Sequence, residues 1–160
     1  MHVRRESAPA RGECMEQLRF PMFVDLHGRC AVVVGGGKVG ARRANVLLQF
    51  GAEVTVIDPA APPVPGTVHV RRGYLPGDLQ GAFICIAATD SRTVNYRVGQ
   101  DARALGVPVS VADAPDECDF FFPAVCVGEG IVAGVVSSGS AHEKTVSTAG
   151  RIRRMLEETE

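Results

Sequence analysis

A glycine-rich turn stands between an apolar run and a helical pattern in the segment RCAVVVGGGKVGARRA, residues 29–44. The β-branched run of residues 29–35 is typical of a strand that is covered on both faces, as in a parallel sheet. Residues 38–50 carry apolar side chains at roughly helical spacing, and Gly51 is placed to end that helix. A strand that passes through glycines directly into a helix favours an architecture in which strands and helices alternate.

The next part of the chain continues this alternation. Further strands are predicted at residues 53–57, 68–71, 83–87 and 107–112, with a helix at residues 91–105. The predicted fold class is therefore α/β, with a Rossmann-like, doubly wound parallel sheet.

The pattern changes after Asp119. Two short strands, at residues 124–127 and 131–136, flank a glycine-containing turn and predict a β-hairpin. A terminal amphipathic helix is predicted at residues 144–158, and it either packs on the protein's own sheet or on a second subunit. Its apolar face is formed by Val146, Ala149, Ile152, Met155 and Leu156.

Length and composition exclude several classes of protein. The chain has 160 residues, a formal net charge of −1 and 46% hydrophobic residues, which suits one globular domain and gives no reason to expect a nucleic-acid partner. Its apolar runs are far shorter than the roughly 20 residues that cross a bilayer, so no membrane partner is expected. The five cysteines have no CxxC spacing, which favours a reducing, cytoplasmic location.

We expect three regions along the chain. Residues 1–19 are basic and lack the apolar region of a secretory signal, which predicts a disordered leader. Residues 20–139 form the Rossmann-like domain, and residues 140–160 hold the terminal helix, a possible dimerisation element.

The glycine turn predicts a dinucleotide site. Gly35, Gly37 and Gly40 fit the pattern G-x-G-x-x-G after a strand and at the start of a helix. Gly35 allows the tight turn, Gly37 lets the backbone approach a pyrophosphate, and Gly40 permits close helix–strand packing. The amides of Lys38 and Val39 begin the helix and direct their positive dipole ends at phosphate.

Asp58 follows the second predicted strand, where an acidic residue accepts the two hydroxyls of an adenosine ribose. It favours NAD over NADP, because a 2′-phosphate would be repelled there. Arg42 and Arg43 could instead meet that phosphate, although both lie within the first helix. The alternative interpretation is that Asp58 is a cap or turn residue before Pro59.

Two further strand ends point to the same crevice. Thr89 follows the strand at residues 83–87 and could bind the cofactor, and Asn95 could reach the crevice or be solvated. Asp113 follows the strand at residues 107–112 and is the carboxylate expected nearest the reactive end of the cofactor.

The same loop contains further acidic and aromatic residues. Solvated positions are expected for Asp116, Glu117 and Asp119. Phe120, Phe121 and Phe122 either fill the core or wall a flat apolar pocket.

These motifs together resemble one family. The segments FPMFVDL, VVVGGGKVGARRA, IAATD, VADAP, DFFFPA and VSSGS occur in that order between residues 20 and 140. In this combination they resemble the precorrin-2 dehydrogenase family, the dehydrogenase domain of siroheme synthases, some members of which are also ferrochelatases.

The resemblance implies NAD-dependent dehydrogenation of precorrin-2, a tetrapyrrole, to sirohydrochlorin, with Asp113 as the catalytic carboxylate. It also implies a homodimer. The residues implied to hold NAD are Lys38, Val39, Asp58, Pro59 and Ala60. The residues implied to lie beside the tetrapyrrole are Ser137, Ser138 and Gly139. Asn95 is also assigned to the substrate site.

Other functions stay open at this point. Metal insertion would need a proton acceptor, for which Asp113 and His142 are candidates, but no His/Cys/Asp cluster predicts a tight metal site. A non-catalytic NAD-binding redox sensor and a dehydrogenase for another small molecule are the alternatives. The chain also departs from the family pattern after its serine-glycine turn, at residues 140–145.

Overall fold

A five-stranded parallel sheet in the order β3-β2-β1-β4-β5 forms the centre of the protein. The computed structural model describes residues 18–137 and 141–157. The strands of this sheet are β1 (Cys30–Val34), β2 (Glu53–Ile57), β3 (Val68–Val70), β4 (Ile84–Ala87) and β5 (Val109–Val111). The helices are α1 (Lys38–Gln49), α2 (Arg92–Leu105) and α3 (His142–Glu157), and a separate antiparallel hairpin contains β6 (Ala124–Gly128) and β7 (Ile131–Val135).

Both faces of the central sheet are covered, which explains the uninterrupted apolar run of β1. Val32 and Val34 pack in a cluster with α2 residues such as Val98, whereas Ala31 and Val33 point to the other face. That second face packs against α1 through residues such as Leu47. Successive side chains of a strand point to opposite faces, so a strand buried on both must be apolar throughout. The predicted doubly wound α/β fold is confirmed.

Local signals set the helix ends close to their predicted positions. The Ser91 side chain accepts a hydrogen bond from the Val94 amide and caps α2 at its start. Gly106 ends α2 in the left-handed conformation, with φ 69°. The last helix, α3, begins at His142, two residues earlier than its apolar pattern predicted.

The loop after β5 carries Asp113, Asp116, Glu117 and Asp119, and we call it the acidic loop. It covers the open edge of the sheet, a role that the sequence did not indicate. The Asp119 amide donates to the carbonyl of Val109, and the Val109 amide donates to the Asp119 carboxylate at 3.0 Å. The Cys118 thiol accepts from the Val111 amide at 3.1 Å. Edge strands carry unpaired backbone groups, and this loop satisfies them. Asp119 is exposed, as predicted, and in addition pairs with the edge of β5.

The terminal helix packs on the β6–β7 hairpin. The Cys126 thiol donates to the Ala149 carbonyl at 3.3 Å, and a Cβ added to Gly128 would lie 2.7 Å from that of Leu156. Of the two packing alternatives, the chain's own hairpin is the observed one. Val146 and Met155, which were placed on the apolar face, are 55% and 69% exposed. A homodimer stays a prediction.

No helix among the described residues is long and apolar enough to span a membrane.

Gly40 allows α1 to approach β1, and we predict that Gly40→Ala destabilises the fold. The added Cβ would lie 1.8 Å from the Gly35 carbonyl oxygen, which forces the backbone to shift. We expect the free energy of unfolding, measured with urea, to fall by about 3 kcal/mol, the upper end of overpacking costs. Gly73→Ala is the matched control, because its Cβ would have no neighbour within 4 Å. Equal stability of the two variants would contradict this account.

Candidate functional site

The sheet has one point at which its strand order reverses, between β1 and β4. From β1 the chain moves outward to β2 and β3, then returns to the other side of β1 with β4 and β5. The connections that leave β1 and β4 therefore diverge to opposite faces and open a crevice at the carboxyl ends of these strands. Ligands of doubly wound sheets bind in such a crevice.

Gly35 lies where β1, β2 and β4 meet. Its amide donates to the Ile57 carbonyl at 2.9 Å, and its φ of +100° is a conformation that favours glycine. A Cβ at this position would lie 2.5 Å from the Ala88 carbonyl oxygen. No other residue fits this turn, so the glycine predicted for the turn is required by both conformation and space.

Gly37 and the first turn of α1 provide a site with the features of a phosphate cradle. Gly37 is the N-cap of α1, and a Cβ there would meet no atom within 4 Å. The cap has no side-chain hydrogen bond and the first turn has no acidic residue. The amides that begin a helix lack intrahelical partners and carry positive partial charge. With Lys38 and Val39 exposed beside it, this end of α1 fits the pyrophosphate of a dinucleotide.

Asp58 ties the glycine turn to the end of β2. Its carboxylate accepts hydrogen bonds from the amides of Gly36 at 2.7 Å, Ala60 at 2.8 Å and Ala61 at 2.6 Å. The predicted turn role is thus present. A carboxylate offers about four acceptor positions, so a position remains for a ribose hydroxyl.

Hydrogen bonds outweigh burial in setting the acidity of Asp58. Partial burial alone would raise the pKa of the carboxyl, but the amides of Ala61, Ala60 and Gly36, together with His69, lower it below its ordinary value. Pro59 and Ala60 are exposed on the loop that this carboxylate organises.

The two arginines of α1 differ in their surroundings. Arg43 lies over the Phe122 ring, 5.2 Å from its centroid, and burial lowers the pKa of its guanidinium. Arg42 is exposed. The guanidinium of Arg43 is therefore directed at Phe122.

Thr89 and Asn95 form a closed hydrogen-bonded pair at the end of β4. The Asn95 amide oxygen accepts from the Thr89 amide at 3.0 Å and from its hydroxyl at 2.7 Å, and Asn95 Nδ2 donates to the Thr89 carbonyl. Asn95 is 0% exposed. Both earlier interpretations of Asn95, crevice contact and solvated residue, are corrected: its side chain is enclosed and fixes the loop that carries Thr89.

Asp113 lies two residues beyond β5 with its side chain 38% exposed. Its Oδ1 is 3.7 Å from Nη1 of Arg92, the first residue of α2. Arg92 also binds Glu117, which raises the pKa of the guanidinium, and it lies beside the Tyr96 ring. The predicted candidate is thus an accessible carboxylate with a cation next to it. Glu117, predicted to be solvated, instead holds that cation.

The three phenylalanines divide between two environments. Phe120 and Phe122 pack against the cluster beneath α1, as a core interpretation predicts. The Phe121 ring instead lies under the guanidinium of Arg19, at 3.6 Å.

The substrate-side residues of the serine-glycine turn are only partly described. Ser137 accepts a hydrogen bond from Arg19 through its carbonyl, whereas Ser138 and Gly139 lie outside the described residues. His142, a candidate proton acceptor for metal insertion, is exposed at the start of α3. No group of three or more metal-ligating side chains is found among residues 18–137 and 141–157.

Neither Arg19 nor Arg92 was predicted from the sequence as a site residue. Arg92 could have been found, because the first residue of a helix that follows β4 lies at the crevice edge. Arg19 precedes the first periodic segment and was placed in the leader, so no pattern indicated its contacts.

Comparison with known proteins assigns the family. A family model described as "Putative NAD(P)-binding" matches residues 22–124, more than half of the chain. The chain belongs to that family. The matched region of this NAD(P)-binding chain contains the glycine turn, Asp58, Thr89 and Asp113, so a nicotinamide cofactor fits the crevice described above.

The names of two relatives of this NAD(P)-binding chain agree with the family that its motifs resemble. It is 39% identical over 150 residues to a "Probable multifunctional siroheme biosynthesis protein HemA" of Ruminiclostridium josui, covering 89% of this chain and 29% of that protein. It is 39% identical over 128 residues to a "Siroheme synthase" of Stutzerimonas stutzeri (strain A1501), covering 76% of this chain and 28% of that one. The chain thus spans less than a third of the length of these relatives, and the family resemblance is confirmed.

One solved structure supports the fold. "SirC, precorrin-2 dehydrogenase" superposes with a TM-score of 0.64 at 22% identity, covering 89% of this chain and 71% of that one. At this identity, the likeness is evidence for the fold.

We predict that Asp58→Asn weakens the fold in a pH-dependent way. The new amide group places a donor against backbone donors, so the free energy of unfolding at neutral pH should fall by about 1 kcal/mol. The folded pKa of Asp58 lies below the ordinary 3.8. The contribution of the ionised Asp58 to the free energy of unfolding is therefore fully present above pH 3.8 and is lost as the pH falls through the folded pKa.

Urea unfolding of the wild type and of the variant from neutral to acid pH measures this difference. The gap in free energy should narrow as the pH drops below 3.8. A gap that stays constant would contradict a role for the ionised carboxylate.

Proposed function

We propose that this chain is an NAD-dependent dehydrogenase that converts precorrin-2 to sirohydrochlorin in siroheme biosynthesis. The observation that carries the proposal is the accessible carboxylate of Asp113, next to Arg92, on the same side of the sheet as the glycine-turn crevice. The names of its relatives, which concern siroheme biosynthesis, support the choice of substrate.

The reaction removes a hydride from a carbon of the macrocycle and leaves a cation, which loses a proton as conjugation extends. Nicotinamide, when bound, supplies the hydride acceptor. Asp113 stabilises the developing positive charge and takes the proton, and its exposure lets that proton pass on to water. Arg92 places a positive charge 3.7 Å from this carboxylate.

The choice of NAD over NADP rests on charge at the end of β2. The Asp58 carboxyl is ionised at neutral pH, its pKa being lowered further by the amide hydrogen bonds, and that charge would repel a 2′-phosphate. Arg43, which could have neutralised such a phosphate, lies against Phe122. The charge of Asp58 thus supports NAD as the proposed cofactor, while Arg42, the other arginine considered for a 2′-phosphate, is exposed on α1.

The proposed activity is dehydrogenation alone. Metal insertion is not included, because no particular contact among the described residues favours it. A non-catalytic redox sensor would bind NAD without using Asp113, and a dehydrogenase for another small molecule would leave precorrin-2 unchanged.

We predict that Asp113→Asn lowers kcat on precorrin-2 by about 10²–10⁴-fold, the usual contribution of a general base, with the Kd for NAD⁺ unchanged. The measurement is anaerobic: precorrin-2 and NAD⁺ are mixed with the protein, and NADH formation and the tetrapyrrole spectrum are followed. Asp78→Asn is the matched control, since Asp78 is also paired with an arginine, Arg72, but lies on the loop between β3 and β4.

Three outcomes separate the hypotheses. Turnover by the wild type and by the Asp78 variant, but not by the Asp113 variant, is the expected result. Equal turnover by all three would remove Asp113 from the mechanism. NAD⁺ binding by the wild type without any turnover of precorrin-2 would reject the proposed function and favour the sensor or a different substrate.

A further inference from the structure

Arg19 contacts two segments that are far from it in the sequence. Its guanidinium carbon lies 3.6 Å from the centroid of the Phe121 ring, and its Nη1 donates to the Ser137 carbonyl at 3.3 Å. Phe121 belongs to the loop that follows β5, and Ser137 follows β7. Arg19 thus lies where the acidic loop, the hairpin and the N-terminal segment meet.

Arg19 lines two shallow surface cavities, which we call the first and the second hollow. One, of about 480 Å³, is lined by Leu18, Arg19, Pro115, Asp116, Cys118 and Phe121. The other, of about 450 Å³, is also lined by Leu18 and Arg19, together with residues that include Ser137, Lys144 and Thr145.

The first hollow adjoins the loop that carries the proposed catalytic carboxylate. Cys118, in the wall of the first hollow, bonds to Val111, the last residue of β5 and two residues before Asp113. Arg19, which lines both hollows, therefore lies beside this loop.

The charges around Arg19 favour the second hollow for an anion. Asp116 lines the first hollow and would repel a carboxylate there. Lys144 lines the second and adds a second cation to Arg19. The guanidinium lies face-on against the Phe121 ring and donates to Ser137 through Nη1, so its Nε–Nη2 edge is the one that can form the paired hydrogen bonds that carboxylates accept.

We propose that Arg19 anchors the substrate by binding a peripheral carboxylate of the tetrapyrrole, with Lys144 as a second cation. This inference rests on the proposed function, whose substrate is a macrocycle with acetate and propionate side chains. Arg19 is a binding and specificity residue, distinct from the acid–base role of Asp113.

The test measures binding as well as turnover. Sirohydrochlorin is titrated anaerobically into wild type, Arg19→Gln and Arg19→Lys, and its absorption spectrum gives Kd. Losing a charge-assisted pair should raise Kd by about 10- to 100-fold in Arg19→Gln. We expect a smaller rise in Arg19→Lys, a parallel rise of KM for precorrin-2, and unchanged kcat and Kd for NAD⁺.

Arg29→Gln is the matched control, because Arg29 also lies over a phenylalanine ring, that of Phe83 at 4.2 Å, but precedes β1 at the opposite end of the sheet. Its Kd for sirohydrochlorin should equal that of the wild type. Lys144→Gln provides a second variant, with a severalfold rise in Kd expected, in case Arg19→Gln fails to fold.

The outcomes distinguish this inference from the proposed function. If wild type turns over precorrin-2 but the Arg19 and Lys144 variants bind sirohydrochlorin as tightly, the anchor is wrong and the function stands. A lower Tm of Arg19→Gln with unchanged Kd would make Arg19 only a structural link and overturn the proposal. If the wild type binds no sirohydrochlorin and leaves precorrin-2 unchanged, both proposals fail.

Discussion

The close approach of β1, α1 and β4 at Gly35 is the constraint on which the rest of the site depends. A Cβ on Gly35 would lie 2.5 Å from the Ala88 carbonyl oxygen, and one on Gly40 would lie 1.8 Å from the Gly35 carbonyl oxygen. Only with glycine at both positions can α1 begin directly above the end of β1. That placement directs the first amides of α1 into the crevice at which the strand order reverses.

Two kinds of chemistry meet at this end of the sheet. The cofactor side is built from backbone amides, a helix start and Asp58, whose carboxylate holds the turn at Gly36 as well as facing a ribose in our proposal. In our proposals the substrate side contains charged side chains on separate segments: Asp113 after β5, Arg92 at the start of α2, and Arg19 from the N-terminal segment. These segments are brought together by ion pairs and ring contacts.

The fold could be predicted from the sequence because its strands and helices have strong local patterns. The strand β2 begins and ends where predicted, and the limits of α1 and α2 differ by only a residue. The roles of Asp119 and Asn95 could not be predicted, since each depends on a long-range partner: the edge of β5 for Asp119 and the enclosed loop of Thr89 for Asn95. Arg19 was missed for the same reason, because Phe121 and Ser137 are distant in sequence.

A crystal structure of the chain with NAD⁺ bound would test the central claim most directly. The account predicts the pyrophosphate against Gly37 and the amides of Lys38 and Val39, an adenosine ribose hydroxyl on the free acceptor position of Asp58, and the nicotinamide on the side of Asp113. A dinucleotide bound away from the start of α1, or a ribose that leaves Asp58 untouched, would contradict it.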